Sequence, residues 1–320
     1  MYMICMIHAI GYVDSRWTHW LVNVCFAGVP GFVLISGFYG LRFSWRKVVR
    51  IEGVGIGCAL TVVGLALALG VCPRGQALAE IVRLWKGYWF IHAYVVMMVL
   101  AGLLGADAQE SRSELQKRAL PVIALVYGWS FLALVPCVQR YVPRTSGLEA
   151  FSGVTLFAVY LVGRLYRLFD WESRFKMKYV LPATILCGVM SACVIPPTSG
   201  WGGALARYNS PFLLGLSLGL FWLFRRALAG MKLPATVLAI LTPSVLSVYL
   251  IHCNSYGNQA FAFAERMFAN AGLPLYAIFF VLATLTFVAG FVLDVPRRLL
   301  SLCLQKTCRL FDCLIVRLPD

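Results

Sequence analysis

Charge is what this 320-residue sequence has least of: only 13% of its residues are Asp, Glu, Lys or Arg, about half the ~25% of a soluble domain. Acids are the scarcer sign, 13 against 28 Lys plus Arg. A soluble chain of this length must cover one or two domains with polar surface, and too few polar side chains are present to do it. Disorder is excluded as well, because 61% of the residues are hydrophobic. The 11 cysteines include no CxxC pair and no Cys/His grouping with metal-ligand spacing, so neither a disulfide scaffold nor a zinc site is expected and the thiols read as reduced and structural. P-loop, GxSxG, HExxH and GxGxxG patterns are missing. Met1 to Val13 lacks the basic n-region and small-residue cleavage site of a secretory signal.

What the sequence does have is long apolar runs and a mean hydropathy of +0.81. A helix needs ~20 apolar residues to cross a bilayer, whereas a barrel would show short alternating segments. The expected fold is all-α: a polytopic integral membrane protein with short loops and about ten transmembrane helices. The runs lie at about 1–12, 22–41, 51–72, 85–104, 119–137, 150–166, 179–195, 207–224, 235–253 and 275–293. The first is too short to span alone. Together they form a transmembrane unit, 1–295, followed by a tail, 296–320. In the tail Leu299, Leu300, Cys303, Leu310, Phe311 and Leu314 alternate at helical spacing with Arg298, Lys306, Arg309, Asp312 and Arg317. That pattern predicts an amphipathic helix on the inner leaflet.

Ten spans put both termini on one side, and the loops test this. Segments 42–50, 105–118, 164–178, 225–234 and the tail after Asp294 hold 20 of the 28 basic residues. That set is assigned to the cytoplasm. The net charge of +15 is therefore read as topology, and no nucleic-acid partner is expected.

Polar groups at membrane depth are costly and mark function by default. His8, His92 and His252 all fall in the outer half of the expected spans, where a neutral imidazole can take a proton. The plainer alternative is that each only bonds a neighbouring helix. Inside, Arg42, Arg46, Lys47 and Arg50 form a compact loop. It serves either as positive-inside charge or as an anion site for a phosphorylated ligand, because guanidinium forks match phosphate. Asp and Glu fall in loops and at span edges. Small residues around Ser36 in the second span allow close helix approach or room for a thin ligand chain. Trp89, His92 and Tyr94 open the fourth span, with His92 and Tyr94 deeper than an interfacial belt requires.

Four segments then carry a likeness. Met6-Ile7-His8, the run Val29 to Phe38 ending in Ser36-Gly37-Phe38, Tyr88-Trp89-Phe90 with Tyr94, and Ser247-Val248-Tyr249-Leu250-Ile251-His252 occur in order along the chain. The chain resembles the membrane-bound acyltransferase family 3, in its branch that O-acetylates bacterial exopolysaccharides and surface glycans. The resemblance covers about residues 1–295. It implies transfer of an acyl group, commonly acetyl, from cytosolic acyl-CoA to a hydroxyl of an extracytoplasmic or lipid-linked glycan. No bound cofactor or metal is implied; acyl-CoA is a co-substrate. By the same resemblance His8 is the catalytic base and Arg42, Arg46, Lys47 and Arg50 hold the CoA phosphates. Ser36, Trp89, His92, Tyr94, Tyr249 and His252 are candidate supporting residues. The implied partners are membrane lipid, the glycan acceptor and polysaccharide-assembly proteins, in the bacterial cytoplasmic membrane. The family's arginine ten residues before the first-span histidine would fall before Met1, so a start upstream of Met1 is expected. Two rivals remain: a transporter or flippase, which should show intramembrane acids or charge pairs, and an inactive partner in polysaccharide assembly.

Overall fold

The computed structural model describes residues 2–10, 16–105, 112–132, 152–192, 208–232 and 234–315, and among them every regular element is a helix. In chain order these are α1 (Tyr2–Ile10), α2 (Arg16–Cys25), α3 (Gly28–Tyr39), α4 (Trp45–Ala68), α5 (Ala77–Gly87), α6 (Trp89–Leu103) and α7 (Arg112–Leu132). There follow α8 (Gly153–Leu168), α9 (Trp171–Arg174), α10 (Met177–Ala192), α11 (Pro211–Ala227), α12 (Ala235–His252), α13 (Ser255–Asn270) and α14 (Leu275–Ile315).

Helix starts follow local chemistry. Ser152, Ser210 and Asn254 accept hydrogen bonds from the first-turn amides of α8, α11 and α13, satisfying donors that have no partner inside the helix. Pro211 opens α11, where its missing N–H costs nothing.

Among the described residues three helical segments are long and apolar enough to cross a membrane: Trp20–Tyr39, Trp45–Ala68 and Tyr276–Leu299. Arg74–Gly87 and Trp89–Leu103 make a fourth if taken as one span bent by 52°. This is fewer than the ten expected. Hydropathy gave each apolar run its own span, but the helices stop sooner. α8 and α10 have 16 residues and α11 has 17, which is ~24–26 Å of rise, short of a ~30 Å hydrocarbon core. Arg164 and Arg167 close α8, and Arg225 and Arg226 close α11. The loops expected at 138–149 and 196–207 lie outside the described residues. α14 runs unbroken through Pro296 to Ile315; most side chains of the expected tail pattern lie outside the described residues.

The centre of the molecule is α8, buried from Gly153 through Tyr166. Its closest neighbour is α3, and two glycines explain the approach. A Cβ on Gly163 would stand 2.5 Å from the Leu34 carbonyl oxygen and 3.1 Å from the Gly37 Cα. Only hydrogen fits at either position, so the two backbones touch, as small residues permit in helix pairs. On the other side of the molecule α1, α12 and α14 form a second packed group. The Tyr2 hydroxyl bonds Thr284 Oγ1 at 2.9 Å, and the Ser244 hydroxyl donates to Asp294 at 2.7 Å. α4 and α14 run antiparallel, with the Arg297 side chain against Gly57 and Leu293 level with Thr61.

Basic residues gather at one end of the bundle. Phe38, near the end of α3, lies under the guanidinium of Arg167 at 4.8 Å and that of Arg225 at 4.2 Å. The loop after α3 carries Arg42, and Arg46, Lys47 and Arg50 follow in the first turns of α4; all four are exposed. Three segments assigned to one side by charge, 42–50, 164–178 and 225–234, therefore share this basic end.

Candidate functional site

Toward the other end, two of the sequence-selected histidines meet. α1 ends two residues after His8 and α12 ends at His252. Their rings pack edge to face with centroids 5.1 Å apart. The Tyr249 ring, one turn back on α12, lies 6.3 Å from His8 and 6.2 Å from His252. His252 is 5% exposed. Its Nδ1 bonds the Val248 carbonyl. A carbonyl only accepts, so Nδ1 carries the hydrogen and Nε2 presents a lone pair. That Nε2 is buried without a hydrogen-bond partner, while the Tyr249 hydroxyl lies beside the Cys253 thiol. Buried polar atoms are nearly always paired. An unpaired acceptor beside His8 fits a place where a hydroxyl from elsewhere is received.

Beside Tyr249 is a void of about 10 Å³, the least that holds one water, lined by Ile4, Val29, Phe32, Phe90, Leu246 and Tyr249. A neighbouring cavity of about 190 Å³ shares Phe32, Phe90 and Leu246 and adds Ile51, Ile91 and Tyr94. Together they make a narrow apolar crevice that reaches Tyr249 and is lined by neither histidine. Aromatic contacts mark the path. Phe90 is 5.8 Å from Tyr249 and 5.8 Å from Tyr94 by ring centroids. The Tyr94 hydroxyl then bonds Ser36 Oγ at 2.9 Å. Ser36 lies about one turn before the end of α3, and the backbone amide of Leu41, just before Arg42, donates to the Tyr160 hydroxyl at 3.1 Å. The Tyr160 hydroxyl was not singled out from the sequence, since nothing distinguished it from a core tyrosine. Val29 to Ser36 spans ~10 Å at 1.5 Å per residue. The crevice thus lies between Tyr249, whose ring neighbours both histidines, and Ile51, next in sequence to Arg50. Among the described residues none of the side chains of Arg42, Arg46, Lys47 and Arg50 pairs with a carboxylate; Lys47 Nζ donates to the Arg42 carbonyl at 2.8 Å.

Trp89 is stacked on Tyr208 with centroids 5.5 Å apart and packs against Phe90, which lines the crevice. His92 does not join the other histidines, a correction to the expected common level. Its Nδ1 is 3.2 Å from Glu52 Oε1 and its Nε2 is 3.0 Å from the Trp85 carbonyl oxygen, while the Trp85 indole donates to Glu52 Oε2 at 2.8 Å. Glu52 sits in the second turn of α4, near the basic end. The reason is the chain break at Tyr88. A straight span beginning at 85 would put His92 about two turns below the far face. In the structure α5 has already descended along α4 before α6 begins, which carries His92 deeper.

Acids are also better embedded than expected. Glu52 lies inside α4 rather than at its edge. Asp294 is 0% exposed and is bonded by Arg297 and Ser244. Both acids were placed at span edges because the apolar runs were cut at the nearest charge. Among the described residues no group of three or more His, Cys, Asp or Glu could hold a metal ion. Comparison with protein-family models, curated proteins and solved structures finds no match.

Proposed function

We propose that the chain is an integral membrane O-acyltransferase that moves an acyl group, in the first instance acetyl, from acyl-CoA to a hydroxyl of a glycan. The observation that carries this reading is the buried His8–His252 pair with the unpaired Nε2 of His252, set beside a narrow apolar crevice whose other end reaches Ile51, next to Arg50. Such a layout suits a donor with a phosphorylated head and a thin reactive arm. The phosphates would bind Arg42, Arg46, Lys47 and Arg50 through charge-assisted hydrogen bonds. The arm would have to part Phe32, Phe90 and Tyr249, where the crevice narrows to about 10 Å³, to bring the thioester to His8 and His252.

The chemistry then balances within the chain's own groups. The acceptor hydroxyl oxygen attacks the thioester carbonyl, and His8 takes the hydroxyl proton. The C–O bond forms, the C–S bond breaks, and the proton passes from His8 to the departing CoA thiolate. General base help is worth about 10²–10⁴-fold. The Tyr249 hydroxyl, one turn from His252, would serve as a donor to the oxyanion, and such donors act strongly where water is excluded. His252, fixed by its Nδ1–H bond to Val248, offers Nε2 to orient His8 or the acceptor. On this reading the basic end faces the cytoplasm, and both termini lie on that side.

The test is transfer of label from acetyl-CoA to base-labile glycan esters in membranes carrying the chain. His8→Ala should abolish transfer while membrane insertion is unchanged. Full activity in the variant would reject His8 as the base.

A specific observation favours a second reading. Glu52–His92 and Asp294–Arg297 are acid–base pairs within apolar helices, the kind of pair that a transporter uses for coupling. Glycan or lipid-linked substrate crossing vesicles in the absence of acyl-CoA, lost on Glu52→Gln, would support it over acyl transfer.

A further inference from the structure

A second and larger recess, about 560 Å³, lies between α4, the end of α12, α13 and α14 and shares no lining residue with the crevice; His252 belongs to its wall. Its walls carry no Asp, Glu, Lys or Arg. Leu65, Leu69, Phe263 and Leu285 line it and are 41 to 69% exposed, so it opens sideways rather than into a closed interior. Along α14 it extends from Leu282 to Leu293, a rise of ~16 Å. The shape is a trough running down the face of an apolar helix.

Its two ends differ. At the Leu293 end the one polar lining group, the Thr61 hydroxyl, donates to the Gly57 carbonyl, and the neighbouring Asp294 is paired with Arg297. At the other end stand His252, against His8, and Tyr256. The Tyr256 hydroxyl bonds Glu80 at 3.1 Å, and Arg83 is paired with Glu80 and donates to Ser255 Oγ at 2.8 Å. Arg83 keeps 53% of its side chain exposed. Arg74, three residues past the lining residue Val71, is exposed as well. This rim therefore carries two arginines against one carboxylate, at the end where the histidines are. A hydrocarbon chain would fill the trough, and the arginines would meet a phosphate joined to it. A free saccharide would gain nothing from such walls.

We infer that this trough seats the hydrocarbon tail of the acceptor, a saccharide carried on a long-chain polyprenyl phosphate, with its phosphate at Arg74 and Arg83 and its sugar hydroxyl at the His8–His252 pair. The identity of the acceptor rests on the acyltransferase reading; the seat for the tail does not. The acceptor then enters sideways from the bilayer, and the acyl donor enters along the crevice from the basic end. The two substrates meet only at the histidines.

Two measurements separate the inference from the reading beneath it. The full chain is placed in phosphatidylethanolamine–phosphatidylglycerol vesicles with a polyprenyl phosphate bearing a diazirine in its chain. Labelled peptides should come from α13, α14 and the second half of α4. Unlabelled polyprenyl phosphate should compete at about a tenth of the concentration that phosphatidylglycerol needs. Ala289→Trp and Ala260→Trp fill the trough from opposite walls at exposed positions, and each should cut labelling about fivefold or more. Equal competition by phosphatidylglycerol, or undiminished labelling in both variants, overturns the inference. In the second measurement the same oligosaccharide is offered on polyprenyl phosphate and on a short water-soluble aglycone, with acetyl-CoA. Ala289→Trp should raise KM for the lipid-linked form about tenfold and leave the soluble form unchanged. An equal rise for both overturns the inference. Specific labelling without transfer to either acceptor upholds the seat and removes the acyltransferase reading. Transfer without specific labelling does the reverse.

Discussion

Replacing Gly163 by alanine tests whether contact between α3 and α8 holds the crevice in shape. In an unobstructed helix the change would stabilise by about 1 kcal/mol, because glycine is the poorer helix former. Here the new Cβ stands 2.5 Å from the Leu34 carbonyl oxygen, and ordinary contact begins near 3.4 Å, so the helices must part by about 0.9 Å. Both obstructing groups are backbone, and neither can rotate away. Overpacking of this kind costs about 1–3 kcal/mol, which outweighs the gain in helix propensity. The Ser36–Tyr94 hydrogen bond is 2.9 Å long and would stretch beyond a bonding distance if α3 moved by that amount away from α6. Gly31 on the same helix is the control, since a Cβ there meets nothing within 4 Å. The assay is thermal unfolding in detergent followed by size-exclusion recovery. Gly31→Ala should melt at or above the parent temperature. Gly163→Ala should melt lower, by a few degrees for about 1 kcal/mol in a chain of this size. Equal melting temperatures for the two variants would refute the tight crossing.

Neutralising Arg42, Arg46, Lys47 and Arg50 together should raise KM for acetyl-CoA several-fold and leave KM for the glycan unchanged; steady-state kinetics with each substrate varied decides, and an unchanged acetyl-CoA KM returns the loop to topology alone. Tyr94→Phe removes one partner of a largely buried hydroxyl pair and should cost about 1 kcal/mol of stability, read as a small fall in melting temperature; no fall would mean the Ser36 contact contributes nothing. Asp294→Ala strands the Arg297 guanidinium, which is 14% exposed, and should destabilise by about 3–5 kcal/mol, whereas removing both charges with apolar residues should restore most of the loss. A mild single variant would show that water reaches the pair.

Much of this was legible in the sequence because it depended on residue type and order. All-helical structure followed from long apolar runs. The common level of His8 and His252 followed from each lying near the far end of its own helix, but their contact did not, because equal depth does not make helices neighbours. The nearness of segments 42–50, 164–178 and 225–234 followed from charge. The close approach of α3 to its neighbour was signalled by Gly37, but the partner glycine, Gly163, was an unremarked residue in an apolar stretch. Span number was read less well, because hydropathy sees apolar length and not where the helix ends. α8 and α11 finish on arginines that a window average smooths over. Depth was read worst at His92. A single residue, Tyr88, interrupts the helix there, and no proline marks the break. Glu52 and His92 are 40 residues apart, so their pairing depends on how α5 folds back along α4, and no local pattern encodes it.

That fold-back bears on how the chain is made. α5 carries Glu80, Arg83 and Lys86 on a single helix, and charges of this sort oppose entry into a bilayer by a few kcal/mol each at mid-depth. α6 alone offers 15 residues, too few to span. Neither half is therefore a self-sufficient insertion signal. α4 is, at 24 residues, and it is synthesised first. Glu52 then waits on its second turn for Trp85 and His92, and Gly55 leaves room beside Ile91 and Tyr88. The order of synthesis thus supplies the template before the segment that needs it. α4 and the broken α5–α6 segment would enter the bilayer as a hairpin, with α4 as the leading arm.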